Sequence, residues 1–131
     1  MLMALKRAVE NRPLTILSWN ARGAVGKKTP ELINLLQNLQ VDAALIQETH
    51  LKPHHRWTVT GFTVHRTDRS SAPGLEKRQG GGTAILIADH LTGTINLPTP
   101  TTQHGLEATN AIINTQHGQV QLTSLYPPPI Q

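Results

Sequence analysis

With 131 residues, 37% of them hydrophobic, the chain has room for one ordinary domain with a lean core. Aromatic residues are only 3%, namely Trp19, Trp57, Phe62 and Tyr126, so that core must be built from Leu, Ile, Val and Ala. The lack of cysteine excludes a disulfide framework, a thiolate zinc site and a cysteine nucleophile, and 12 Lys+Arg against 8 Asp+Glu give a net charge of +4, which suits a phosphate-bearing partner about as well as plain solubility.

Residues 1–13 are a mixed polar lead ending at Pro13. Leu14-Thr15-Ile16-Leu17-Ser18-Trp19-Asn20 is then a run of strand formers, closed by the turn-like Ala21-Arg22-Gly23. Thr29-Pro30-Glu31 has the chemistry of a helix start, with Thr as N-cap, Pro at the first helical position and an acid in the first turn. Leu32, Leu35, Leu36 and Leu39 recur at helical spacing, while Asn34, Gln37, Asn38 and Gln40 fall on the other side, so one face is expected to dock. The near-continuous apolar run 41–48 suits a strand covered on both faces. Together these form a βαβ unit, which predicts two parallel, neighbouring strands.

Residues 49–56, with three histidines and a proline, read as a loop, and β character returns over 57–66 around Gly61-Phe62. A polar stretch, 68–79, follows. Gly80-Gly81-Gly82 leads as a close-approach turn into Thr83-Ala84-Ile85-Leu86-Ile87-Ala88, a buried-strand pattern, and 94–97 is its expected partner before Pro98 and Pro100. Residues 106–115 and 119–126 read as a hairpin joined at His117-Gly118 and stopped by Pro127-Pro128-Pro129. No apolar stretch approaches the ~20 residues needed to span a bilayer, and no leader pattern opens the chain, so the expectation is an intracellular protein with no membrane partner.

Asn20, Glu48 and Tyr126 each fall at the last position of a predicted strand, and in α/β sheets ligands bind outside the carboxyl ends of strands. The βαβ unit would set the amide of Asn20 beside the carboxylate of Glu48, where oxygen alone can hold a hard cation. Mg²⁺ keeps several waters and takes only one or two protein carboxylates, so Glu48 is sufficient to anchor it. Tyr126 would donate a hydrogen bond to a phosphate oxygen as negative charge develops. Each residue also has a plain reading: Asn20 as a turn residue, Glu48 as a solvated strand end, Tyr126 as core filler.

Ser18-Trp19-Asn20-Ala21-Arg22-Gly23, Leu45-Ile46-Gln47-Glu48-Thr49-His50, Arg66-Thr67-Asp68-Arg69, Gly80-Gly81-Gly82-Thr83-Ala84-Ile85 and Ser124-Leu125-Tyr126-Pro127-Pro128 resemble, in order and spacing, the motifs of the exonuclease–endonuclease–phosphatase superfamily. Within it, Trp-Asn-Ala-Arg-Gly, Gln-Glu-Thr-His and a Tyr followed by prolines are similar to the endonucleases of jockey-like non-LTR retrotransposons. The resemblance implies that Glu48 is the metal ligand, for Mg²⁺ with Mn²⁺ as the alternative ion, Asn20 the active-site amide beside it, and Tyr126 the tyrosine facing the scissile phosphate. It also implies DNA as partner; Arg22 and Arg66, in loops after or within the matched motifs, are the candidates to touch its phosphates, with a solvated loop arginine as the plain reading of each. Pro127 departs from the family pattern, which commonly has Arg there.

The resemblance runs over about residues 14 to 130 yet corresponds to the N-terminal half of the family domain. The later Gly-Asp-x-Asn and Ser-Asp-His segments, which in the family supply the base, a phosphate-contacting Asn and the catalytic histidine, do not occur in these residues. The expected architecture is therefore α/β, half of a four-layered α/β sandwich: a polar lead over 1–13, then a partial domain over 14–131 with one mixed sheet, a flanking helix and no second sheet. Apolar side chains of its central strands should lie open to water. The expected activity is metal-dependent DNA nicking by the parent domain, in the nucleus if the element is eukaryotic, with the 131 residues nearly inactive by themselves. The alternatives are another phosphodiesterase or phosphatase of the superfamily, or a non-catalytic remnant that binds nucleic acid or protein; the oligomeric state is not legible.

Three other features are set aside. His50, His54 and His55 lack a second cluster of zinc-ligand spacing. The glycine triplet lacks the Gly-Lys-Ser/Thr ending of a P-loop, and Ser70 and Ser71 have no base partner.

Overall fold

The computed structural model describes residues 13–69, 81–91, 95–97, 107–115 and 118–126, with 95–97 as backbone. The lead up to residue 12, most of the polar stretch and the proline triplet lie outside the described residues.

The βαβ unit forms as its periodicity dictates. Strand β1 (Ile16–Asn20) is followed by helix α1 (Val25–Asn38) and strand β2 (Ala43–Gln47), and β1 and β2 pair in parallel with Ile16 opposite Ala43 and Asn20 opposite Gln47. The helix begins four residues ahead of the expected Thr29, so Pro30 lies inside it. Burial explains the difference: Val25 joins Leu32 and Leu36 in one buried stripe, and that burial opposes the loss of the one backbone hydrogen bond Pro30 cannot donate. Thr29, freed from capping, hydrogen-bonds the Val25 carbonyl and accepts the Trp57 indole N–H at 3.0 Å. The docking face is also narrower than the four leucines suggest, since Leu35 is 43% and Leu39 52% exposed. The helix stops in a Schellman arrangement, with the Gln40 N–H on the Gln37 carbonyl, the Val41 N–H on the Leu36 carbonyl, and Gln40 at φ +52°.

Strands β3 (Phe62–Thr67) and β4 (Thr83–Ala88) complete the first sheet in the order β1-β2-β4-β3, with β4 antiparallel to both neighbours. Alternation along β2 and β4 divides two cores. Ala44, Ile46, Ala84 and Leu86 face α1, with Leu32, Leu36, Trp57 and Phe62 around them. Ala43, Leu45, Ile85 and Ile87 face the other way.

That second face is covered, which corrects the expectation of a missing second sheet and an open apolar surface. Strands β5 (Ile95–Leu97), β6 (Glu107–Thr115) and β7 (Gly118–Tyr126) form a separate antiparallel sheet in that order. Ala111, Ile113 and Leu122 of this sheet pack on Ala43, Ile85 and Ile87, so every residue of β4 is buried. The β6–β7 hairpin supplies the cover because it alternates: Thr109, Ala111 and Ile113 point inward, while Asn114, Gln119, Gln121 and Thr123 are exposed. Residues 95–97, expected to pair with β4, pair with β6 instead. The architecture among the described residues is a helix, a mixed sheet and a second small sheet in three layers. None of the described helices is long and apolar enough to cross a membrane.

Candidate active site

One rim gathers the ends of six strands. Asn20, Gln47, Thr83 and Thr67 are linked by register across the first sheet, and the second sheet brings Glu107 and Tyr126, directly opposed on β6 and β7, to the same side. The hydroxyl of Ser124 donates to the Ile46 carbonyl at 2.6 Å and accepts from the Gln47 amide at 3.2 Å, which seats β7 over β2. Two residues on, Tyr126 reaches Glu48 and donates its phenolic hydrogen bond to Oε1 at 3.1 Å.

Glu48 occupies an unusual backbone position. Its φ is +54°, and Arg22 and His50 nearby also have positive φ at +49° and +57°. For non-glycine residues such conformations cost of order 1–3 kcal/mol each and persist where surrounding contacts impose them. Here the contacts are visible. The Gly23 N–H bonds the Glu48 carbonyl at 2.8 Å and the Ala21 N–H bonds the Gln47 carbonyl at 2.9 Å, tying the loop after β1 to the end of β2. From the other side, the Thr49 and His50 N–H groups bond the carbonyls of Gly82 and Gly81 at 3.2 and 2.8 Å. Gly81 and Gly82, at φ +70° and +87°, are the close-approach turn read from the triplet: a Cβ on Gly82 would lie 2.4 Å from the Thr49 hydroxyl, and one on Gly81 would lie 2.2 Å from Arg69 Nε.

Asn20 Oδ1 accepts the Arg22 N–H at 3.1 Å, a local turn that holds the amide at the end of β1 beside the β2 terminus. Burial first, then the hydrogen bond and charge of Glu48, hold the Tyr126 phenol above its ordinary range; Arg69 pulls it down and Glu107 adds to the rise. Tyr126 is therefore a neutral hydrogen-bond donor throughout the physiological range.

Three of the five residues singled out from sequence thus lie at one rim: Asn20 at the end of β1, paired with Gln47; Glu48 one residue beyond the end of β2; and Tyr126 by its contact with Glu48. Arg22 lies in the adjoining loop with its side chain exposed. Arg66 is committed elsewhere. Its Nη2 donates to the carbonyls of His55 at 2.6 Å, Lys52 at 3.0 Å and Pro53 at 3.4 Å, and lies 3.4 Å from Asp68 Oδ2, so the guanidinium fastens the 52–55 loop. Two residues at the rim had no role assigned from sequence, Glu107 and Arg69, the latter quoted only within a matched motif: Arg69 Nε and Nη2 both donate to Glu107 Oε1, at 2.9 and 2.6 Å, and the Gly82 N–H donates to Oε2 at 2.7 Å. A signal existed, since Glu107 is the lone acid in the whole 107–126 hairpin.

No group of three or more His, Cys, Asp or Glu side chains converges as a ready-made metal site among the described residues. A divalent ion here would rely on Glu48, whose Oε2 has no protein partner among the described residues, with Asn20 at the neighbouring strand end; a single carboxylate fits an ion that keeps most of its waters.

Residues 17–120 match the Endonuclease/Exonuclease/phosphatase family, and the chain belongs to that family. It is 32% identical over 118 residues to the probable RNA-directed DNA polymerase from transposon X-element of Drosophila melanogaster, across 89% of this chain and 12% of that protein. Its fold is similar to D. rerio TDP2 complexed with a single strand DNA product, at a TM-score of 0.60 and 18% identity over 90% of this chain and 47% of that one. It is also similar to an endonuclease/exonuclease/phosphatase family protein from Leptotrichia buccalis C-1013-b, at a TM-score of 0.58 and 14% identity over 88% and 55%. The chain spans about half the length of these solved relatives and a small part of the transposon polymerase.

Proposed function

We propose that the chain is the first half of a divalent-metal-dependent phosphodiesterase domain that nicks DNA on behalf of a non-LTR retrotransposon. The observation that carries this reading is the Tyr126–Glu48 contact at a strained turn on the common rim. Family membership and the transposon relative support the nuclease class, and the neighbour that holds single-stranded DNA supports a nucleic-acid substrate.

Glu48, flanked by Asn20, would hold the ion, Mg²⁺ or Mn²⁺, which when bound supplies charge neutralisation at a phosphoryl oxygen and the leaving oxygen. Tyr126, kept protonated, would turn its one O–H from Glu48 to a non-bridging phosphate oxygen once ion and substrate are bound, an interaction that strengthens as charge builds there. Arg22 gives an exposed cation beside the rim for the adjoining phosphate. Water activation belongs, by the family resemblance, to segments that these 131 residues do not contain, so full catalysis is assigned to them only together with those segments; groups that act as a unit lose most of their effect when one is missing.

The test is Mn²⁺ binding to the chain by electron paramagnetic resonance, with plasmid nicking in Mg²⁺ alongside. Weak Mn²⁺ binding abolished by Glu48→Ala, with negligible nicking, is the expected pattern. Binding indifferent to Glu48→Ala would overturn the metal role and favour a pure binding module.

A further inference from the structure

From the closed circuit of contacts around Glu107 we infer that Glu107 and Arg69 are positioning residues, holding Tyr126 and Glu48 in register with one another, a role that rests on the reading of that pair as the phosphodiester site. Tyr126 ends a strand of one sheet and Glu48 directly follows a strand of the other, so their contact depends on how the sheets are locked together at the rim. Most of the lock is neutral. Thr109 bonds Thr83 at 2.8 Å and Thr67 at 3.0 Å, and Ser124 bonds the β2 backbone. The ionic member is Glu107 with Arg69, their side chains 5% and 11% exposed.

Glu107 is linked to both ends of the Tyr126–Glu48 contact, to one by strand pairing and to the other through the Gly82 backbone. On its own sheet it is the direct cross-strand partner of Tyr126, so the two side chains stand on one face about 5 Å apart at Cβ. On the other sheet its carboxylate grips the Gly82 N–H, and Gly82 and Gly81 in turn hold the N–H groups of Thr49 and His50, the residues immediately after Glu48. Arg69 completes the circuit. Its two N–H groups clamp the free side of the Glu107 carboxylate, and its guanidinium lies against Gly81, where no Cβ fits. A displacement of Glu107 therefore moves Tyr126 and the Glu48 turn together. The arrangement is the kind of outer contact that sets the orientation of a group touching substrate or metal.

Tyr126 is the one tyrosine in the chain, so an isotope label on the tyrosine Cζ gives a single NMR resonance reporting the phenol's hydrogen bond and ionisation without any metal. In Glu107→Gln and in Arg69→Lys, which keeps the charge and loses the two-point clamp, the resonance should move away from its wild-type position. Mn²⁺ binding should weaken by about tenfold or more in the same variants. Thr109→Val, which breaks a different inter-sheet link, should leave the resonance in place; if it moves the signal as far as Glu107→Gln does, general loosening explains the effect and the positioning role is overturned. Should Glu107→Gln fail to fold, Arg69→Lys decides alone. A resonance unmoved by Glu48→Ala sinks the site itself, whereas one moved by Glu48→Ala but untouched by both bridge variants leaves the site standing and removes the bridge.

Discussion

Tyr126 and Glu48, 78 residues apart in the chain, meet through a 3.1 Å hydrogen bond in which the phenol donates and the carboxylate accepts. The bond joins the last residue of β7 to the residue just beyond β2, and so crosses from one sheet to the other. Its effect on the phenol has a definite sign. The folded state raises the Tyr126 pKa, so folding favours the protonated form, and the stabilisation is fully present below the unfolded value of about 10 and lost as pH rises through the folded one. Tyr126→Phe should accordingly cost about 1 kcal/mol at neutral pH. The wild-type advantage should close in strongly alkaline solution. Urea denaturation of both proteins at several pH values checks this; a gap that widens with pH contradicts it.

Asp68 supplies a second pH dependence. It is buried after β3, and Oδ1 has no hydrogen-bond partner among the described residues. Burial pushes its carboxyl above the usual range, against the opposing pull of Arg66 and His55. A raised carboxyl favours folding while protonated, below an unfolded value of about 3.9, and that contribution is lost as pH rises through the folded pKa. Asp68→Asn cannot ionise, so its stability relative to wild type should climb as pH rises above the unfolded value of about 3.9. Parallel denaturation profiles for the two proteins would refute the expectation.

Gly82→Ala meets two obstacles, a backbone at φ +87° and the Thr49 hydroxyl 2.4 Å from the new methyl. It should destabilise by about 2 kcal/mol or more. Thr49→Ala in the same chain removes the clash and leaves the backbone strain, so the double variant should recover part of the loss and retain about 1–2 kcal/mol. Additive single effects in a thermal-denaturation cycle would show that the two residues do not touch.

Ile113 is fully buried between the sheets against Ala43, Ile85 and Ile87. Because the second sheet closes this core, Ile113→Ala should cost about 2–5 kcal/mol, the range for emptying a packed site. A cost within about 0.5 kcal/mol, as for an exposed position, would return the inner face of β4 to solvent.

Local patterning carries much of this fold. Alternating and helical apolar spacing located β1, α1, β2, β4 and the β6–β7 hairpin, and the positive φ of Gly81 and Gly82 matches the turn inferred from the triplet. Strand-end position brought Asn20 and Glu48 to one rim because parallel pairing in a βαβ unit leaves little choice. Arg66 shows where such reading stops. Its side chain has the chemistry to bind phosphate or to bind carbonyl oxygens, and only the return of the 52–55 loop beneath it brings carbonyls to its Nη2.

The sequence by itself determined the elements, the family and the residue types at the strand ends, since these depend on periodicity over a few residues and on short motifs. Tertiary structure alone decided that a second sheet covers β2 and β4, that 95–97 joins β6, that Pro30 is absorbed into α1, and that Glu107 and Arg69 bridge the layers between Tyr126 and Glu48. Each of those outcomes is a contact between segments distant in the chain, fixed by complementary burial and by the need of a buried carboxylate for donors. Neither leaves a period or a motif in the local sequence.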